Sequence, residues 1–155
     1  MFTAATMLAM VDLGAKAWAQ AGLPPAGIEA GPVDLRLGFN PGVAFSLASG
    51  APTGAVFAIT AAVTAGVAAL VWVVAPGASR LRRAALAAVL GGAVANLTDR
   101  AMDGVVTDYL HTGWWPTFNL ADTAIVVGAL LLVLTGTAKG ETGGAGPADA
   151  RAVRR

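Results

Sequence analysis

Cysteine is absent from the 155 residues, and histidine occurs once, at His111. Without thiols the chain has no disulfide framework, no thiolate metal site and no cysteine nucleophile. A single imidazole is too few for a histidine-based zinc centre. Charge is scarce as well. Only 12% of the residues are Asp, Glu, Lys or Arg, where an average soluble domain has about 25%. The formal net charge is +1, so bulk charge gives no reason to expect a nucleic-acid partner. What is abundant is apolar surface: 56% of the residues are hydrophobic, and 20 Gly come on top of these. A globule of this size buries only about 68–70% of what its unfolded chain exposes, so it could not hide so much. A disordered chain would be poor in apolar residues and rich in charge. The class that remains is a small multi-span membrane protein.

A helix needs about 20 mostly apolar residues to cross roughly 30 Å of hydrocarbon. Four stretches meet this, at about 2–21, 51–75, 84–102 and 119–138. Pro76-Gly77 closes the second, because neither residue continues a helix well. Residues 1–138 read as one membrane domain and 139–155 as a flexible, Gly-rich tail. Arg80, Arg82 and Arg83 in the loop after the second span, and Lys139, Arg151, Arg154 and Arg155 in the tail, would share one side of the membrane. The excess of basic residues makes that side cytoplasmic. Both termini are then expected inside, with 22–50 and 103–118 outside. Trp18, Trp72, Trp114, Trp115 and Tyr109 fall near span ends, where amphipathic rings favour the headgroup level. The first span is not read as a cleavable signal, since no basic residue precedes it and Asp12 and Lys16 interrupt it. Val33, Leu35, Leu37 and Phe39 alternate with Asp34, Arg36 and Gly38. Period two predicts a half-buried strand over 33–39 in a small outer sheet, and Asn40-Pro41-Gly42 turns the chain after it.

Ionisable groups in or beside a span are costly unless paired. Asp12 and Lys16, at i and i+4 with the acid first, suit an internal ion pair. Asn96 and Arg100 share a face of the third span. Spacing leaves open whether Arg100 pairs with Asp99 or Asp103, or aims its donors at a peptide carbonyl or a lipid phosphate. Asp108 follows the third span, and Asp122 lies in the first turn of the fourth, where an acid also complements the helix dipole. Singly, they read as a loop acid and a helix-end acid. Together they form a carboxylate pair at one depth, and two close carboxylates share a proton. One can then take a proton from water while the other protonates a carbonyl. Other hydrolytic chemistries lack their parts: there is no His-Glu-x-x-His, no Gly-x-Ser-x-Gly and no Gly-x-Gly-Asp segment. A Ser46–His111 pair across the outer loops has no local motif behind it.

Five blocks, in order, resemble the lipoprotein signal peptidase (signal peptidase II) family. They are Asp12-Leu13-Gly14-Ala15-Lys16, Asn40-Pro41-Gly42-Val43-Ala44-Phe45-Ser46, the run Gly91-Gly92-Ala93-Val94-Ala95-Asn96-Leu97-Thr98-Asp99-Arg100, Gly104-Val105-Val106-Thr107-Asp108, and Phe118-Asn119-Leu120-Ala121-Asp122. The resemblance implies a four-span α-helical aspartic protease of the bacterial plasma membrane with a small outer sheet. It would cleave the signal peptide of diacylglyceryl-modified prolipoproteins before the lipidated Cys. By the same resemblance Asp108 and Asp122 are catalytic, and Asn40, Asn96, Arg100 and Asn119 orient substrate. Asp12, Lys16 and Asp99 are structural polar residues. Membrane lipids are partners and globomycin is an expected inhibitor, while no metal, organic cofactor or nucleic acid is implied. Three features depart from the family pattern: Ala95 where Gly is usual, a short 108–122 connection, and only eleven residues before Asp12. Two other functions stand beside this one. A proton or cation conductor would use Asp12, Arg100, Asp108 and Asp122 as a relay, but it expects acids spread across the membrane depth. An inactive lipoprotein-binding scaffold would keep the same residues without turnover.

Overall fold

The computed structural model describes residues 1–42 and 52–137. The Val43–Ser46 part of the second block and the tail expected over 139–155 lie outside the described residues. Four helices and two strands follow in the order α1 (Phe2–Gly22), β1 (Asp34–Asn40), α2 (Thr53–Val74), α3 (Arg80–Asp103), β2 (Val106–His111) and α4 (Leu120–Thr137). Each expected span falls on one helix. Despite the few residues before Asp12, α1 runs for 21 residues. α2 passes into a short 3-10 turn over Ala75–Gly77, with Pro76 in its first turn. α3 begins four residues before the expected span, because Ser79 caps it by accepting the Arg82 backbone N–H. It stops at Gly104, which takes φ 75° and donates its N–H to the Arg100 carbonyl.

α3 is the central helix, packing against α1, α2 and α4. Consecutive glycines let two neighbours approach it closely. A Cβ on Gly91 would stand 2.6 Å from the Ala5 carbonyl oxygen of α1, and one on Gly92 would stand 2.5 Å from the Ala121 carbonyl oxygen of α4. Without a driving force from water, close backbone packing of this kind is what holds helices together in lipid. Ala95 lies one turn on and is fully buried with Ala9 and Ala121. One methyl is therefore accommodated where the family pattern has Gly.

The distribution of polarity is inverted relative to a soluble protein. Met7, Met10, Ile59 and Val73 are exposed, whereas Asp12, Lys16, Asp99, Arg100 and Asn119 are buried. Among the described residues one helix, Thr53–Gly77, is long and apolar enough to cross a membrane, with mean hydropathy 2.2, and Leu120–Gly136 is a shorter apolar helix. Asp12 and Lys16 of α1 and Asp99 and Arg100 of α3 lower the hydropathy of their helices but are buried in the bundle interior, as lipid requires.

β1 and β2 form a two-stranded antiparallel sheet, with Gly38 opposite Asp108 and Asn40 opposite Val106. An irregularity between Leu35 and Gly38 breaks the alternation. The expected strand is present, but its apolar face is not the covered one: Leu37 and Phe39 are exposed while Gly38 and Asn40 are partly covered. Tyr109 also differs from expectation. The four tryptophans are exposed, but Tyr109 is buried, because its hydroxyl accepts the Leu120 N–H at the start of α4.

Candidate active site

Asp108 sits in the middle of β2, which pairing with β1 holds across the top of the bundle. Asp122 lies in the first turn of α4, fixed by a reciprocal cap. The Asp122 N–H donates to Asn119 Oδ1 at 2.9 Å, and the Asn119 N–H donates to Asp122 Oδ2 at 3.3 Å. The Asn119 amide then reaches across to β2, donating to Asp108 Oδ1 at 2.6 Å and more weakly to the Thr107 carbonyl at 3.4 Å. One fully buried asparagine therefore contacts both carboxylates. Both acids line a cleft of about 560 Å³ whose walls include Asn40, Pro41, Trp115 and Phe118. An apolar groove of about 380 Å³, with Trp114, Val126 and Val127, adjoins it and shares Asp122. At the other end of the cleft Asn40 Oδ1 accepts the Gly42 N–H at 2.8 Å and fixes the turn. Gly42 has φ 92°, and a Cβ there would run into Val56 and crowd Arg100. Only glycine suits this position.

Behind the acids is a buried charge cluster. Lys16 Nζ lies 2.9 Å from Asp12 Oδ2 and 3.3 Å from Asp99 Oδ2, and donates to Asn96 Oδ1 at 2.7 Å. Asn96 Nδ2 in turn donates to Asp122 Oδ1 at 2.7 Å. Asp12 Oδ1 accepts the Ala121 N–H at 2.9 Å, and Asp99 Oδ2 accepts the Thr107 N–H at 2.7 Å. The cluster thus fixes the backbones on either side of the dyad, one residue before Asp122 and one before Asp108. The ion pair expected from i, i+4 spacing is present, and Asp99 joins it. Arg100 consequently takes neither Asp99 nor Asp103 as a close partner. It donates to Thr60 Oγ1 of α2 at 3.3 Å and faces the charges of Asp99, Asp108 and Asp122. Among the described residues it shares no hydrogen-bond partner with Asn96, despite the common helix face.

Burial pushes the Asp108 carboxyl up to about 6, and the neighbouring Asp122 charge adds to this. Hydrogen bonds from Asn119 and Asn40 work against the rise. Burial, with the Asp12 carboxylate, raises Tyr109 to about 12, which keeps its hydroxyl neutral. A carboxyl raised toward neutrality keeps a protonated fraction there, and beside a second carboxylate it can supply a proton while its neighbour accepts one. Among the described residues no three His, Cys, Asp or Glu side chains are grouped to hold a metal ion. His111 Nδ1 lies 3.3 Å from Thr117 Oγ1, and Ser46 is outside the described residues.

The sequence gives no individual sign of three supporting residues. Thr107 is fully buried, with its N–H, carbonyl and hydroxyl all engaged. Tyr109 holds the start of α4. Gln20, one turn beyond Lys16, donates to Thr107 Oγ1 at 2.6 Å. Continuing the Asp12–Lys16 spacing by four residues would have found Gln20.

A family model described as signal peptidase (SPase) II matches residues 4–137. A lipoprotein signal peptidase of Cellvibrio japonicus (strain Ueda107) is 37% identical over 140 residues, covering 85% of this chain and 82% of its own. One of Mycobacterium avium (strain 104) is 39% identical over 140 residues, covering 84% and 74%. Among solved structures, a bacterial membrane enzyme obtained by the in meso method at 2.3 Å superposes with a TM-score of 0.80 at 19% identity, covering 95% of this chain and 93% of that one.

Proposed function

The chain belongs to the signal peptidase II family, and we propose that Asp108 and Asp122 are the catalytic pair with which it removes signal peptides from prolipoproteins. The observation that carries this reading is the convergence of the two carboxylates, from a strand and a helix, on one cleft with Asn119 between them. Water attacks the scissile carbonyl carbon. One carboxylate takes the water proton and the other acid protonates the carbonyl oxygen. Collapse of the tetrahedral intermediate breaks the C–N bond; the first acid gives its proton to the leaving nitrogen, and the second recovers its own from the hydroxyl as the carbonyl re-forms. Asn40, Asn96, Arg100 and Asn119 orient the peptide, while Asp12, Lys16 and Asp99 hold the elements that carry the acids.

The scissile bond is the one before the diacylglyceryl-modified Cys. A cleft with an apolar annex lined by Trp114, Val126 and Val127 suits a peptide whose lipid stays in the bilayer. In this reading all four helices span the bacterial plasma membrane, both termini are cytoplasmic, and the sheet and cleft face outward. The inside-out burial of charge and the Arg80, Arg82 and Arg83 loop support it. Globomycin is an expected inhibitor. The test is incubation of purified protein with a diacylglyceryl prolipoprotein, scored by mass. Asp108→Asn and Asp122→Asn each lower cleavage by about two orders of magnitude or more, the usual scale for a general acid or base. The double variant is scarcely worse than either single, because the pair acts as a unit. Near-normal turnover by either folded variant removes it from the dyad.

A further inference from the structure

Two acids that share one task must differ in which of them holds the proton, and the surroundings of Asp108 and Asp122 are unequal. Asp122 accepts on both oxygens: Asn96 Nδ2 on Oδ1 and the Asn119 N–H on Oδ2. It also sits in the first turn of a helix, where the exposed N–H groups favour negative charge. Asp108 accepts from Asn119 on Oδ1 and from Asn40, but it lies in a strand without that dipole and is nearly fully buried.

The amide that serves Asp122 is itself gripped from behind. Its oxygen accepts from Lys16 Nζ at 2.7 Å, and its nitrogen donates to Asp122 at 2.7 Å. An ammonium on the amide oxygen pulls electron density from the nitrogen and makes its N–H a stronger donor. We propose that Lys16 is a positioning residue that acts through Asn96 to keep Asp122 ionised as the base, leaving Asp108 to carry the shared proton as the acid. This rests on the proteolytic reading above and adds the division of labour within it.

The charges around the pair can be named element by element. α1 supplies Asp12 and Lys16, α3 supplies Asp99 and Arg100, and β2 supplies Asp108 and Tyr109. β1 presents Asn40, and α2 has no ionisable residue between Thr53 and Val74. Lys16 is thus the cation that reaches Asp122 through a hydrogen-bond chain, whereas Arg100 bonds to Thr60. Asp12 and Asp99 already engage Lys16 as ion pairs. The amide therefore carries its influence to the dyad in one direction only.

The experiment is the pH profile of kcat/KM for cleavage of a diacylglyceryl prolipoprotein by full-length protein in lipid. In Asn96→Leu the ion pairs of Lys16 remain but the link to Asp122 is cut, and the acid limb moves up by about one pH unit. In Lys16→Met/Asp12→Asn a charge pair is replaced by neutral groups, and the limb moves the same way. Adding Asn96→Leu to that variant moves it no further than Asn96→Leu alone, the signature of two groups acting in series. Lys16→Arg retains the wild-type limb. A lysine that only stiffens the bundle would lower the rate at every pH and leave the limb in place. An unmoved limb in Asn96→Leu overturns the proposal by itself, whether or not the Lys16 variants fold. So does an additive shift in the combined variant. If wild-type protein cleaves at no pH, the proteolytic reading falls with it; if it cleaves and only the limb fails to move, that reading stands.

Discussion

Besides the loss of cleavage expected under the proposed assignment, replacing Asp108 by Asn is expected to stabilise the protein, by an amount that depends on pH. Asp108 is 3% exposed, and burial with the Asp122 charge raises it from an ordinary 3.8 to about 6. A folded-state value above the unfolded one means that the fold favours the protonated form. That stabilisation is complete below the unfolded value and is lost as pH rises through the folded one. Each pH unit between the two corresponds to about 1.4 kcal/mol, so the full interval is worth about 3 kcal/mol. Asn is neutral throughout and keeps an oxygen for the Asn119 amide, which lies 2.6 Å from the wild-type carboxylate. The variant is therefore more stable than wild type by up to about 3 kcal/mol at pH 8, and by only a fraction of that at pH 4. For a chain of this length about 2–4 °C accompanies each kcal/mol. The Tm advantage should thus widen by roughly 5–10 °C between pH 4 and pH 8. Thermal unfolding in detergent micelles, followed by tryptophan fluorescence at pH 4, 6 and 8, measures it. The same Tm difference at all three pH values would refute the reasoning, because burial would then not oppose the charge on Asp108.

Arg100→Ala lowers prolipoprotein processing more than Arg83→Ala, because Arg100 faces the dyad while Arg83 lies in the basic segment at the start of α3; equal residual activities in well-inserted protein would remove Arg100 from the site. Gly92→Ala forces α3 and α4 apart at the Ala121 carbonyl and costs about 1–3 kcal/mol of stability. Gly14→Ala meets nothing within 4 Å and is neutral or slightly stabilising; comparison of the two Tm values distinguishes tight packing from a general effect of added methyls. A reporter fused after Ser79 reads cytoplasmic and one inserted at Thr112 reads external; the reverse result overturns the assigned orientation.

The helices were legible because lipid imposes a simple rule of length and polarity, and the Asp12–Lys16 pair because helical spacing is local. Asp122 could be placed in a first turn for the same reason. What escaped depends on partners distant in sequence. β2 reads as an outer loop because its identity comes from pairing with β1, about seventy residues earlier. The covered face of β1 was misjudged because one irregularity between Leu35 and Gly38 breaks the period of two. Spacing leaves open whether Arg100 pairs with Asp99 or Asp103, because it does not show that Lys16 on another helix already takes the Asp99 carboxylate. Asn119 showed the opposite behaviour: its part in the motif was visible, while its simultaneous grip on both acids appears only when β2 and α4 meet.

The hydrogen bond from the Ala121 N–H to Asp12 Oδ1 spans 109 positions of the sequence and so has a consequence for biogenesis. A ribosome delivers α1 long before α4. Until the last helix enters the bilayer, the buried carboxylate of the first lacks this donor, the groove beside Gly92 is unfilled, and Asp108 has no second acid beside it. Insertion of α4 supplies all three at one stroke. Under the proposed catalytic assignment a chain without α4 lacks Asp122, one of the two acids, as well as a packing partner for α3, so cleavage waits on the arrival of that helix.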